Sequence, residues 1–171
     1  GTFRDVTSAW GFDGVTPCFG LGVVILDFDG DGRQDVFVGN DSQPNFLFHN
    51  VGPGRFEEIG MSSGIAVGEE GSGQATMGIA IGDVRGDGLP GVFTTNFMND
   101  VNTLHVNVGG MQFEDRTKRY GLSLVSRPFL GWATAFCDVD LDGAEDLIAF
   151  NGHVYPKEVT DPRGWEHDQV P

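Results

Sequence analysis

The stretch Asp27-Phe28-Asp29-Gly30-Asp31-Gly32-Arg33-Gln34-Asp35 decides the fold, because it recurs. It returns as Asp83-Val84-Arg85-Gly86-Asp87-Gly88-Leu89-Pro90-Gly91 and as Asp138-Val139-Asp140-Leu141-Asp142-Gly143-Ala144-Glu145-Asp146, with first residues 56 and 55 positions apart. A fixed internal period marks an architecture in which each unit buries its apolar face against the next. Other markers keep the same register. An asparagine follows each first Asp by 13 positions, at Asn40, Asn96 and Asn151. Phe3, Phe56 and Phe113 recur with a glycine eight residues later, at Gly11, Gly64 and Gly121.

Short runs rich in Val, Ile, Phe and Thr flank each loop, as strands do. Residues 22–26, 78–82 and 131–137 lead in; residues 35–39, 91–95 and 146–150 lead out. A third strand is expected at 45–50 and 102–107, and a fourth at 55–59 and 112–116. Val51-Gly52-Pro53-Gly54 and Val108-Gly109-Gly110 between them read as hairpin turns. No segment carries helical periodicity over a usable window. Four antiparallel strands per repeat describe a β-propeller blade. The expected fold is all-β, a partial β-propeller of four-stranded antiparallel blades in about three repeats of about 56 residues.

The register divides the chain. Residues 1–17 read as the last strand of a preceding blade and a linker. Residues 18–60 are a blade with an intact acidic loop, 61–117 a blade with a degenerate one, 118–156 a partial blade with an intact one, and 157–171 a linker or tail. A closed propeller takes roughly 4–8 blades. The remaining blades of a parent ring are therefore the first expected partner, and both open edges are an association hazard.

In the pattern Asp-x-Asp-x-Asp-Gly-x-x-Asp, three carboxylates alternate and a fourth follows at position nine. The glycine at position six permits the sharp turn that lets these oxygens converge. Asp27, Asp29, Asp31 and Asp35 form one such set, and Asp138, Asp140, Asp142 and Asp146 the other, with the position-seven carbonyls of Arg33 and Ala144 as further ligands. Calcium takes 6–8 oxygens at about 2.3–2.6 Å, whereas magnesium keeps its waters and rarely fills an all-protein cage. Two calcium ions are expected. In the middle loop Arg85 and Gly91 replace two carboxylates, and the Arg85 guanidinium is expected to pair with Asp83 and Asp87 in the cation's place. An EF-hand is excluded: it needs flanking helices and Glu at position twelve, where Val38 and Ala149 stand. A haloacid-dehalogenase-like Asp-x-Asp nucleophile would not be repeated three times.

Charge narrows the partners. The chain has 171 residues, 25 acidic and 10 Lys or Arg, for a net charge of −15. A nucleic-acid surface needs a basic stripe, and none is visible. The 39% hydrophobic fraction with 14 Phe supplies a core, while 27 Gly and 8 Pro fit short elements and tight turns. No transmembrane segment is expected, since the longest nearly apolar runs, 18–26 and 129–137, are less than half of the ~20 residues required. The opening Gly1-Thr2-Phe3-Arg4-Asp5 does not read as a signal peptide. Cys18 and Cys137, expected in the first strands of non-adjacent blades, make no disulfide framework.

The loops and their markers resemble FG-GAP or VCBS repeats, the propeller units of integrin-α type. The resemblance narrows with residues 37–50, with Thr95-Asn96-Phe97-Met98-Asn99-Asp100, with Ser126-Arg127-Pro128-Phe129-Leu130-Gly131-Trp132 and with Asn151-Gly152-His153-Val154-Tyr155-Pro156. Together they are similar to the ASPIC/UnbV (cartilage acidic protein-like) family across nearly the whole chain. That resemblance implies a secreted, periplasmic or cell-surface propeller with calcium in its blade loops.

Other motifs have plain readings. Arg85-Gly86-Asp87 is an adhesion tripeptide by spelling, but lies inside the degenerate loop. Asn40-Asp41-Ser42 is a glycosylation sequon; the alignment of Asn40 with Asn96 and Asn151 favours a backbone hydrogen-bonding role instead. His49, His105, His153 and His167 accompany no nucleophile elbow or triad, and Gly68–Gly73 lacks the lysine of a phosphate loop. The expected function is a non-catalytic calcium-binding scaffold or adhesion module with a protein or glycan ligand. The alternative is a glycan-binding module or an accessory propeller of a polysaccharide-acting enzyme.

Overall fold

The structure is a computed structural model that describes residues 1–154. The expected tail at 157–171, and His167 within it, lie outside the described residues. Strand β1 (Gly20–Leu26) pairs with β2 (Asp35–Asn40), β2 with β3 (Phe46–Gly52) and β3 with β4 (Arg55–Glu58), all antiparallel. The same meander recurs as β5 (Gly78–Gly82), β6 (Gly91–Thr95), β7 (Thr103–Gly109) and β8 (Gln112–Asp115). Strands β9 (Gly131–Cys137) and β10 (Asp146–Asn151) form a two-stranded sheet. The protein is a partial β-propeller, of which the described residues form two four-stranded blades and two strands of a third.

Period-two alternation packs the blades, because successive side chains point to opposite faces. In β5, Ile79 and Ile81 pack on one side against Phe37, Leu47 and Phe113, while Ala80 meets Phe93 and Leu104 on the other. Both apolar cores among the described residues thus lie between two blades. β5 lies beside β1 on one side and β9 on the other. The outward face of β1, with Leu21, Val23 and Ile25, is exposed among the described residues.

Two expectations need correction. Residues 1–7, expected as the fourth strand of a preceding blade, form no strand; an outer strand exists only beside a third strand, and residues 1–7 have none here. Among the described residues three helices also occur where none was expected: α1 (Thr7–Trp10), α2 (Gly60–Ser63) and α3 (Leu122–Ser126). Each is a turn or so long, too short to display periodicity. The expected blade boundary at 60/61 falls inside α2.

These helices explain the Phe–Gly marker. Gly11 ends α1 at φ +89°, and Gly64 ends α2 at φ +83°, in the left-handed region that glycine tolerates. A Cβ on Gly11 would stand 2.6 Å from the Phe56 carbonyl oxygen, and one on Gly64 2.5 Å from that of Phe113. The glycine of one repeat lets the connector seat against the phenylalanine strand of the next. Cys18 precedes β1 rather than lying within it; it and Cys137 are both free thiols.

Candidate metal centres

All three acidic loops join a first strand to a second and turn in the same way. Asp27 Oδ1 accepts the N–H groups of Gly30 (2.8 Å) and Asp31 (3.1 Å), and its Oδ2 that of Gly32 (2.8 Å). The Gly32 N–H does most to hold the Asp27 carboxyl below its usual range. Asp83 accepts from Asp87 (3.1 Å) and Gly88 (2.8 Å), and Asp138 from Asp142 (3.0 Å) and Gly143 (2.9 Å). Position five acts likewise: Asp31, Asp87 and Asp142 accept the N–H two residues on, from Arg33, Leu89 and Ala144. Positions one and five therefore close the turn in every loop, as Asx side chains do.

Position three also accepts within the intact turns, Asp29 from the Asp31 N–H (3.2 Å) and Asp140 from the Asp142 N–H (3.3 Å), but with position nine it adds carboxylates that the second loop closes without. Asp27, Asp29 and Asp35 each offer an oxygen within 4.8 Å of the others, and so do Asp138, Asp140 and Asp146. Around Asp83 and Asp87 the described residues hold no such group. Arg85 pairs with Asp87. The expected pairing with Asp83 is not made; that carboxylate faces the turn's own N–H groups, and its backbone N–H donates to Glu145 Oε2 of the third loop at 2.8 Å.

Asp35 is 1% exposed. Its Oδ1 accepts the Asn50 N–H (2.8 Å) and its Oδ2 the Phe28 N–H (3.1 Å). Burial pushes its carboxyl up, and those two donors only partly oppose it. A buried carboxylate is costly unless paired or bound to a metal. Asp146 repeats one of these bonds, accepting the Val139 N–H at 3.1 Å, but is exposed because no third strand covers it among the described residues.

Some contributors were not legible in the repeat. His49 Nε2 lies 3.1 Å from Asp29 Oδ2, brought there because β3 runs back beside the loop. Arg33, expected only for its carbonyl, also ion-pairs with Asp31 and donates from Nε to the Asn50 carbonyl at 2.6 Å. Asn107 of the second blade donates to the Phe28 carbonyl at 2.9 Å and ties the first loop to its neighbour. Its alignment with Asn50 was the available signal.

The family model described as FG-GAP-like repeat matches residues 27–94. Residues 27–94 thus carry an FG-GAP-like repeat. Cartilage acidic protein 1 of Mus musculus is 30% identical over 115 residues, 66% of this chain and 17% of that protein. The Homo sapiens protein of that name is 30% identical over 115 residues, 66% of this chain and 16% of its own length. That of Xenopus tropicalis is 26% identical over 140 residues, 80% of this chain and 20% of its own. The chain thus spans a fifth or less of these relatives. The FG-GAP-like match begins at Asp27 and closes at Thr94, so it takes in the intact first loop and the degenerate second.

Proposed function

We propose that this chain is a non-catalytic, calcium-stabilised propeller segment, a scaffold for a protein or glycan ligand outside the cytoplasm. One observation carries the metal. The second loop keeps Asp83 and Asp87 and closes its turn on them, without carboxylates at positions three and nine. Where Asp29 with Asp35 and Asp140 with Asp146 are retained, they answer a further demand, and a hard cation is the chemistry that clustered carboxylates serve.

Asp27, Asp29, Asp31 and Asp35, with the Arg33 carbonyl, hold one ion; Asp138, Asp140, Asp142 and Asp146, with the Ala144 carbonyl, hold the second. The ion neutralises the cluster and locks the turn between first and second strands, so its binding free energy is also folding free energy. The relatives' name, cartilage acidic protein, agrees with an extracellular setting. Among the described residues no helix is long and apolar enough to cross a membrane. The remaining blades of a parent propeller cover the exposed face of β1 and complete the third blade.

Calorimetric titration of metal-stripped protein tests this. Two calcium ions are expected per chain. Asp29→Ala should leave one, whereas Asp83→Ala should leave two while loosening its turn and lowering the melting temperature. Equal loss of an ion from both variants would remove the distinction between the loops, and no binding by the parent chain would remove the proposal.

A further inference from the structure

His105 is 1% exposed on β7, opposite Asp115 of β8. The first blade holds Phe48 in the same register, opposite Glu58. The second blade has thus put an imidazole where its sister has an apolar ring. His105 Nε2 lies 3.0 Å from the Val67 carbonyl oxygen. A carbonyl only accepts, so Nε2 carries the proton and Nδ1 is bare; Nδ1 is buried and has no hydrogen-bond partner among the described residues.

Val67 begins a glycine-rich segment pinned at both ends. The Ala66 carbonyl accepts the Asn45 N–H at 2.8 Å. At the far end Gln74 donates to Asp100 (2.8 Å) and the Val101 carbonyl (2.9 Å), and accepts from Thr103 (2.7 Å). Between the pins, three bonds join the segment to the outer strands of the blade and the turn after them: His105 to Val67, the Glu69 N–H to Asp115 Oδ2 (2.9 Å), and the exposed Lys118–Glu69 pair (2.7 Å). The segment walls a polar cleft of about 110 Å³, with Asn99, Asp100, Lys118 and Arg127 around it.

We propose that residues 67–72 are a flap over this cleft, latched by neutral His105 and released by acid. Protonation adds an N–H at Nδ1, where no acceptor waits. The groups facing His105 are few. β6 presents Val92 opposite it, which does not titrate. β8 presents Asp115, the flap carries Glu69 and Glu70, and the following turn carries Lys118, already paired with Glu69. Asp115 Oδ1 is taken by the Thr117 N–H and hydroxyl, and its Oδ2 by the Glu69 N–H. An imidazolium that keeps Nε2–H on Val67 is a buried charge whose Nδ1–H has no acceptor. It is relieved when the ring reaches water, and that motion abandons Val67 and frees the flap. Burial holds His105 below the ordinary histidine value of 6.5, with Val67 and Asp115 only partly offsetting it. The sign follows: the latch is whole above pH 6.5 and is lost as pH falls below that through the depressed value.

Amide hydrogen exchange at pH 7.5 and 5.0, corrected for intrinsic rates and in saturating calcium, tests the latch. Protection across residues 67–72 should fall about tenfold or more at the lower pH, with β5 and β6 unchanged. His105→Gln keeps a donor for Val67 that does not titrate, so its flap should stay protected at both values. His105→Phe, the sister blade's residue, should leave the flap unprotected at both. A flat wild-type profile, or the same step in His105→Gln, would overturn the latch. Should either variant fail to fold, NMR titration of the wild type decides: the His105 ring and the Glu69 amide must share one midpoint, and separate midpoints refute the coupling.

Discussion

Chelation of calcium should lower the melting temperature of this chain by about 10–20 °C. At a free ion concentration about a hundredfold above Kd, each site contributes about 2.7 kcal/mol to the folded state. Two sites then give about 5 kcal/mol, and for a chain of this size each kcal/mol moves the midpoint by about 2–4 °C. The two loops should not respond alike. Asp35 is buried beneath β3, and without a cation its carboxylate faces Asp27 and Asp29 with only two N–H donors to compensate. Asp146 stays in water, where solvent screens the same repulsion. Asp29→Ala should therefore abolish about half or more of the calcium-dependent rise in melting temperature, and Asp140→Ala less of it. Calorimetric melts with calcium and with chelator check this. An unchanged midpoint in chelator would leave the loops as bare turns.

Gly78→Ala should be the most damaging single-methyl change in the chain. Gly78, Ala80 and Gly82 present almost no side chain toward the third blade, and that lets β9 lie close against β5. A Cβ on Gly78 would overlap the Trp132 carbonyl oxygen and stand 2.6 Å from Thr95 Oγ1. Neither obstacle can swing aside. The Trp132 oxygen is backbone, and Thr95 Oγ1 donates to it at 2.7 Å while accepting the Gly78 N–H at 2.9 Å. Overpacking typically costs about 1–3 kcal/mol when side chains can repack; here two strands must part, so the loss should reach or pass the top of that range. β9 amides should lose exchange protection while β1–β4 keep theirs. Gly14→Ala, where a Cβ meets nothing within 4 Å, is the control and should stay within about 0.5 kcal/mol of the parent. A Gly78→Ala melt that matches that control would refute the close packing of β5 on β9.

Much of this was legible because it is local. The acidic loops, the glycines that turn them and strand edges within about two residues of those observed follow from period-two alternation and turn chemistry. Asn40 and Asn96 do the backbone work their alignment implied, each donating across its connection at 2.7 Å, to the Pro44 and Val101 carbonyls. What escaped depends on neighbours distant in sequence. Single-turn helices show no period. His49 reaches Asp29 across 20 residues, and Glu145 reaches Asp83 across 62. Arg85 was expected to bridge two carboxylates, but the backbone N–H groups of its own turn had already engaged Asp83.

The amino-acid sequence by itself determined the repeat, the four-strand blade and which loops carry a full carboxylate set, since each depends on residues a few positions apart. Only the tertiary structure decided that Asp35 is buried while its equivalent Asp146 is exposed, and that His105 closes on Val67 where Phe48 merely packs. Burial and desolvation belong to whatever lies across the gap between strands and blades. Two residues with the same place in a repeat acquire different chemistry when one is covered and the other is not.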